Sequence, residues 1–309
     1  MNNKADKILI VGFGNLGKRY YESIIQLNNV EIYIYDPYLN DSNYPNVVKT
    51  LNLNFVIDLV IISTCADVRF DITKELINNN IIKNIVFEKF LFLEIEHYDI
   101  ISKLLISKNI NAWVNCTRRL YELYHYIKNK LDESHTDKSQ IKMYVIGEDW
   151  QLCSNSVHFL DIYNYLSNIM YNKLMIKDVN IIDSSRSSFY DMYGHIYSSD
   201  DNFHLICTQK TTKNTLLISK ISCNEYEFVL VNNNTTCSLI EFDKINKKYC
   251  TRTFPMPYLS HIAKDFVKDI LQNKSIELSS YHTSMQIHLP LLKLFHTTFK
   301  NNNKETRFT

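Results

Sequence analysis

The chain has 309 residues, 45% of them hydrophobic, with 34 Lys and Arg against 33 Asp and Glu and a formal net charge of +1. That length suits two domains of ~100–200 residues each, and an ordinary apolar content at almost no net charge excludes a disordered chain. The absence of a basic excess argues against nucleic acid or an anionic membrane as a partner.

Lys7 to Val11 reads as a short buried strand ending at Gly12, followed by a helix from about Leu16 to Leu27. A second strand, Glu31 to Tyr35, ends at Asp36-Pro37. Leu59 to Ser63, Ile85 to Glu88 and Asn111 to Asn115 read as further strands, separated by helices around Asp71 to Asn78 and Tyr98 to Ser107. Strands alternating with helices imply βαβ units and a parallel sheet, and continuous Val/Ile runs suit strands buried on both faces. Residues 1–118 are therefore expected to form an α/β Rossmann domain, a doubly wound parallel sheet.

The texture then changes. After a helical stretch at 119–131 and a polar connector, Glu133 to Ser139, strands are expected at Ile141 to Ile146, Met175 to Ile182, Phe203 to Thr208, Thr215 to Ile221, Glu227 to Val231 and Cys237 to Phe242. One helix, at about 155–167, interrupts the series, and two more, at about 258–272 and 281–298, close the chain. Residues 119–309 are expected to be an α+β substrate-binding and oligomerisation domain with an open, mostly antiparallel sheet. The Asn-rich patches Asn78 to Asn80, Asn232 to Asn234 and Asn301 to Asn303 are expected in surface loops and tails.

Seven scattered cysteines without a CxxC fit a reducing cytoplasm better than a disulfide framework or a metal site. The first residues have no signal-peptide layout, and the apolar runs are far shorter than the ~20 residues of a membrane span. A soluble cytoplasmic protein, with no metal and no membrane partner, is expected.

Glycine is scarce: five in all, against ~7% of residues in average proteins. Three of the five are Gly12, Gly14 and Gly17, in the stretch Gly12-Phe-Gly14-Asn15-Leu16-Gly17 between a strand and a helix. In that setting the first Gly permits a tight turn, the second lets a pyrophosphate approach, and the third lets helix and strand pack closely. Asp36, 19 residues beyond Gly17, is suited to accept hydrogen bonds from ribose hydroxyls and to repel a 2′-phosphate. The expected cofactor is NAD rather than NADP.

Further segments, in order across about 160 residues, resemble the glucose–fructose oxidoreductase / inositol dehydrogenase / MocA family. Ile61-Ile62-Ser63-Thr64 is similar to the family's strand ending in a Thr that lies along the cofactor. Phe87-Glu88-Lys89-Phe90 resembles the Glu-Lys-Pro motif, whose Lys reaches nicotinamide and substrate. Val114-Asn115-Cys-Thr-Arg118-Arg119 resembles the segment leaving the nucleotide domain, and Ser154-Asn-Ser-Val-His158-Phe-Leu-Asp161 resembles the helix start that carries the catalytic His. The resemblance implies cofactor contacts from Gly12, Gly14, Asn15, Leu16, Gly17, Asp36, Thr64, Glu88 and Lys89. It implies substrate contacts from Asn115, Arg118, Arg119 and Ser154, and a homo-oligomer, dimer or tetramer.

Oxidising a sugar hydroxyl needs a hydride acceptor, a base for the hydroxyl proton and a cation against the developing alkoxide. Lys89 follows a parallel strand, where open α/β sheets put their ligands, and its ammonium can orient the hydroxyl. His158, with an ordinary pKa of ~6.5, can exchange the proton. Ser154, His158 and Asp161 share one face if the helix includes residue 154, and Asp161 is then expected to fix the imidazole or bind a sugar hydroxyl. The expected activity is hydride transfer between nicotinamide and a sugar, nucleotide sugar or cyclitol. Three departures stand against it: Phe90 for Pro, Cys65-Ala-Asp-Val-Arg69 for a His-containing loop, and Ser154 and Ser156 for the relay Asp and its Gly. They keep open an alternative, a non-catalytic NAD- and sugar-binding sensor or scaffold.

Overall fold

A computed structural model describes residues 5–39, 43–184, 186, 188–211, 216–233 and 235–308. The chain divides into two compact units, the first made of the run up to Thr117 together with Tyr258–Met285, the second of Arg118–Pro257 with the residues from Gln286 onward. The first unit opens with β1 (Asp6–Val11), α1 (Asn15–Ile24), β2 (Val30–Tyr35), β3 (Leu59–Ile62), α2 (Ala66–Asn79), β4 (Asn84–Phe87), α3 (Ile95–Ser107) and β5 (Asn111–Val114). These five strands pair in parallel in the order β5-β4-β3-β1-β2. Every residue of β3 and β4 is buried, as a sheet covered by helices on both faces demands. The strand order reverses at β1, and such a switch point opens a crevice at the carboxyl ends of the strands.

The second unit contains α4 (Glu122–Glu133), β6 (Lys142–Glu148), α5 (Leu152–Ser167), β7 (Met175–Asp183), β8 (Tyr190–Tyr197), β9 (Phe203–Thr208), β10 (Leu217–Ser222), β11 (Tyr226–Asn233), β12 (Thr236–Asp243) and β13 (Lys248–Pro255). They form an eight-stranded sheet in the order β13-β12-β11-β10-β6-β9-β8-β7. Every pairing is antiparallel except that of β6 with β9. Along β12, Cys237, Leu239 and Glu241 are buried while Ser238, Ile240 and Phe242 are exposed, the signature of a sheet covered on one face.

The chain then continues through α6 (Leu259–Leu271), β14 (Ser279–Ser280) and α7 (Tyr281–Asn301). Here the expected single domain over 119–309 is corrected, because α6 and β14 belong to the first unit. Ala263, Phe266, Val267 and Ile270 make a buried stripe along α6, and a stripe of that spacing needs an apolar partner. It finds one on α1: Tyr20 meets Phe266 edge-on at 6.4 Å, and the Lys264 N–H donates to Ser23 Oγ at 2.9 Å. β14 adds antiparallel to β5 at the sheet edge.

Three strands escape the sequence reading, the two-residue β14 among them. β8 carries Asp191 and Gly194 inside it, and β13 is an edge strand exposed at most positions, so neither shows a clean apolar alternation. Thr215, expected to open the β10 strand, lies outside the described residues, as does Asn234. Asn232, expected on a surface patch, instead sits in β11 with both amide atoms buried. Among the described residues no helix is long and apolar enough to cross a membrane.

Candidate functional site

The carboxyl ends of the five parallel strands carry the motif residues of the first unit. Gly12 follows β1 with φ +85°, a left-handed conformation, and a Cβ there would lie 2.9 Å from the Thr64 backbone nitrogen after β3. A Cβ on Gly17 would stand 2.2 Å from the Gly12 carbonyl oxygen, so only glycine lets α1 approach the turn this closely. Gly14 differs: nothing lies within 4 Å of where its Cβ would be. It precedes α1 with no side-chain cap, and no acidic residue occupies the first turn, where Asn15 is exposed and Leu16 half-buried. The orphan N–H groups of this helix start thus have no side-chain cap, and the space beside Gly14 is open.

Asp36, after β2, is held by two backbone donors, Phe13 N at 2.6 Å to Oδ2 and Tyr38 N at 2.8 Å to Oδ1. A carboxylate has about four acceptor positions, so each oxygen keeps capacity for a hydroxyl. The Ser63 hydroxyl, not singled out from sequence, pins the turn by donating to the Gly12 carbonyl at 2.6 Å. Thr64 Oγ1 is buried without a hydrogen-bond partner among the described residues.

Glu88 and Lys89 follow β4. Glu88 is buried, and its Oε1 accepts from Tyr20 Oη at 2.9 Å and Asn115 Nδ2 at 2.5 Å. Burial pushes its carboxyl up, opposed by the Asn115 and Tyr20 hydrogen bonds and the Arg69 charge. Asn115, expected to meet a substrate, spends one N–H of its amide on Glu88. Lys89 is half-buried, and its peptide bond to Phe90 is cis.

Arg69 is the residue the sequence reading undervalued. It is 2% exposed and donates to the carbonyls of Glu88 (2.6 Å), Leu91 (3.2 Å), Phe90 and Thr64. One guanidinium thus fastens the turn after β3 to the loop that carries Lys89. Desolvation lowers its pKa to about 10, so it stays charged at neutral pH. The available signal was its position: Arg69 lies in register with Thr73, Leu76 and Ile77 on the buried stripe of α2.

In the second unit α5 does include Ser154, so Ser154, His158 and Asp161 fall at the expected helical spacing. Ser154 is buried, with its Oγ 3.5 Å from Gln151 Oε1, and His158 is half-buried. Arg119, expected at the substrate, and Asp161, expected beside the imidazole or a sugar hydroxyl, meet each other. Arg119 grips both Asp161 oxygens, Nε to Oδ2 and Nη2 to Oδ1 at 2.7 Å each, and reaches Asn164 Oδ1 at 3.1 Å. Asp161 is 1% exposed. A buried bidentate pair of this kind costs several kcal/mol to break, so its first duty is to tie the stretch before α4 to α5. Arg118 turns elsewhere, with its guanidinium 4.3 Å above the Phe159 ring.

Asp191, from the unexpected strand β8, is buried and accepts with one oxygen, Oδ1, from Cys153 N (2.9 Å) and Met192 N (2.7 Å). It closes the first turn of α5. Burial pushes the Cys153 thiol well above its ordinary range, consistent with a packing residue rather than a nucleophile. Among the described residues no three His, Cys, Asp or Glu side chains come together as a metal site.

No protein-family profile and no curated protein matches the chain. Solved structures do. A dehydrogenase from Clostridium difficile is 14% identical with a TM-score of 0.66, over 95% of this chain and 100% of its own. UDP-N-acetylglucosamine 3-dehydrogenase from Acidithiobacillus ferrooxidans is 14% identical with a TM-score of 0.66, over 94% and 96%. A super-repressor mutant of Gal80p from Saccharomyces cerevisiae is 14% identical with a TM-score of 0.68, over 96% and 97%. These are two-domain structures of the glucose–fructose oxidoreductase / inositol dehydrogenase / MocA fold, and the chain has that fold. One fold thus carries both proteins named as dehydrogenases and a protein named as a repressor, so the reaction has to be argued from the site.

Proposed function

We propose that this protein is a nicotinamide-dependent oxidoreductase acting between a hydroxyl and a carbonyl group of a sugar, nucleotide sugar or cyclitol, with NAD preferred over NADP. The observation that carries the reading is the open start of α1 at Gly14, beside the Asp36 carboxylate, at the switch point of the parallel sheet. The nicotinamide, when bound, supplies the two-electron acceptor or donor. The α1 N–H groups hold the pyrophosphate, and Asp36 takes the ribose hydroxyls and disfavours a 2′-phosphate. The Lys89 ammonium orients the reacting oxygen and stabilises negative charge on it. His158 exchanges the hydroxyl proton. Arg69 and the Glu88–Asn115–Tyr20 cluster hold the Lys89 loop in its shape.

The reading carries with it a homo-oligomer, dimer or tetramer, formed through the open face of the second sheet, where Ile146, Ile240 and Phe242 are exposed. All seven cysteines are free, which supports a reducing, cytoplasmic setting.

Fluorescence titration with NADH and NADPH tests the cofactor, and transfer of deuterium from C4-labelled NADH to a panel of keto-sugars and keto-cyclitols tests the reaction. NADH is expected to bind more tightly, Asp36→Ala to erase that preference, and Lys89→Ala to slow label transfer ~10²-fold or more. Failure of both dinucleotides to bind at millimolar concentration would overturn the reading. The second reading, a non-catalytic sensor or scaffold, is favoured by Ser154 at the relay position and by the pairing of Asp161 with Arg119. It predicts dinucleotide binding with no label transfer.

A further inference from the structure

Two histidines of the second unit meet on the open face of its sheet. His195 on β8 and His204 on β9 approach with Nε2 and Nδ1 2.9 Å apart. On the far side of His204, Asp201 Oδ1 stands 2.9 Å from Nε2, off the hydrogen-bond line. The three groups thus form a chain, carboxylate to imidazole to imidazole, and do not gather around one point as metal ligands would. Residues paired across neighbouring strands share a face. The pairings carry one row from Tyr197 through His204, Tyr144, Lys220 and Val229 to Ile240, and the next from His195 through Ile206 to Ile146. The histidines therefore lie on the same face as the exposed Ile146 and Ile240. His204 is buried even there, because the Tyr144 ring stacks on it at 4.4 Å and 5°.

A neutral imidazole has one N–H and one bare nitrogen. The Asp201 carboxylate favours the His204 N–H on Nε2, so Nδ1 accepts from His195 Nε2, and His195 Nδ1 takes the next proton. The surroundings set how readily it does so. β7 brings Asp178 and the Lys177 ammonium, 5.4 Å above the Tyr197 ring. On β8 itself Tyr193 donates to Asp149 at 3.3 Å. β6 brings exposed Lys142 and Tyr144, whose hydroxyl donates to the Asp201 carbonyl at 3.3 Å. Beyond it, on β10, Lys220 is paired with Glu227 at 3.0 Å. Asp200 in the turn accepts from Ser198, Tyr171 and Asn202. Desolvation first, then His204 and Lys177, hold the His195 pKa below its ordinary 6.5, with Asp178 and Asp201 opposing. Between that lowered value and the unfolded one the folded chain binds fewer protons here than the unfolded chain. The stability this gives is complete above the unfolded value and is lost as pH falls through the window.

We propose that the Asp201–His204–His195 chain is an acid switch for self-association through the open face of the second sheet. A second copy laid on this face desolvates His195 further, and a desolvated imidazole resists protonation. Near neutral pH the pair shares one proton between its rings, adds no charge to the face, and the copies associate. As pH falls toward about 5, His195 gains charge in the row of Ile206 and Ile146 and beside Lys177, and the copies part. The proposal rests on the homo-oligomer read above for its output; the proton site stands on its own geometry.

Sedimentation velocity and melting temperature of the full chain at pH 7.5 and 5.0, for wild type and His195→Gln, test it. Glutamine keeps an N–H for His204 Nδ1 but cannot take up the proton. The wild-type dissociation constant is expected to rise by up to about tenfold per pH unit below the His195 pKa, the limit for one linked proton. His195→Gln should lose most of that rise, and its melting temperature should fall less between the two pH values than that of wild type. Wild-type association that ignores pH, or a His195→Gln protein that keeps the wild-type dependence, would overturn the proposal. A chain monomeric at both pH values would overturn the homo-oligomer and, with it, the output of the switch. The melting temperatures then still decide the proton site, which equal losses in acid for the two proteins would overturn.

Discussion

Both α1 and α5 follow a strand through a tight turn, and their first turns are finished in opposite ways. At α1 the preceding residue is Gly14, no side chain caps the helix, and open space lies where a Cβ would be. At α5 the preceding residue is Gln151 in a left-handed conformation, and a buried carboxylate from a different strand, Asp191, takes the Cys153 N–H. The first start has no side-chain cap, and at the second one helix N–H is capped from within the chain. Under the proposed function the anion is held at α1, while α5 contributes through the side chains it displays, His158 first among them.

Alanine at the turn glycines gives the largest test of that contrast. Gly17→Ala forces a Cβ against the Gly12 carbonyl at 2.2 Å, backbone against backbone. We expect it to cost ~3 kcal/mol or more in denaturant unfolding. Gly14→Ala meets nothing and has an ordinary φ of −72°, so its stability should stay within ~0.5 kcal/mol of wild type. Its dinucleotide affinity should nevertheless fall about tenfold, or 1.4 kcal/mol. A Gly14→Ala protein that keeps full affinity would show that the open space at α1 is not the pyrophosphate site.

At α5 the expected effects are smaller. Asp191→Ala removes the acceptor of two backbone N–H groups and should cost ~1–2 kcal/mol, the range for a lost cap. Asp191→Asn should recover most of that, because both donors reach the same oxygen and an amide carbonyl can replace it. Urea titration of the two variants checks this. Equal losses in both would mean that the charge, rather than the acceptor, closes the helix.

The same contrast explains what could be read in the sequence. The α1 start was legible because its parts are neighbours: Gly17 meets Gly12 five positions back, and Asp36 closes the next strand. The spacing of Ser154, His158 and Asp161 was legible for the same reason, but not what Asp161 binds, since Arg119 lies 42 residues away. Asp191 was hidden with its strand, whose internal Asp and Gly break the alternation. Asn232 looked like one of a polar run, although its strand alternates toward the buried face. Arg69 alone left a usable clue, a charge placed on an apolar stripe, where burial demands several acceptors at once.

The smallest expected effect concerns the buried carboxylate at the open end. Glu88 resembles Asp191 in taking two donors on one oxygen, here Tyr20 Oη and Asn115 Nδ2 on Oε1. Burial raises its pKa above the ordinary 4.5. Between the unfolded value and that raised value the folded chain binds more protons than the unfolded one, so stability falls as pH rises through this window. Glu88→Gln keeps an oxygen for both donors and removes the buried charge. Relative to wild type it should therefore melt at much the same temperature near pH 4.5 and at a higher one near pH 7.5, by an amount on the order of 1 kcal/mol or less. Differential scanning fluorimetry at the two pH values measures the difference. If the gap fails to widen as pH rises, the Tyr20 and Asn115 hydrogen bonds and the Arg69 charge fully offset the desolvation of Glu88. The cluster would then be an anion site of the chain's own making, set beside the start of α1 rather than against it.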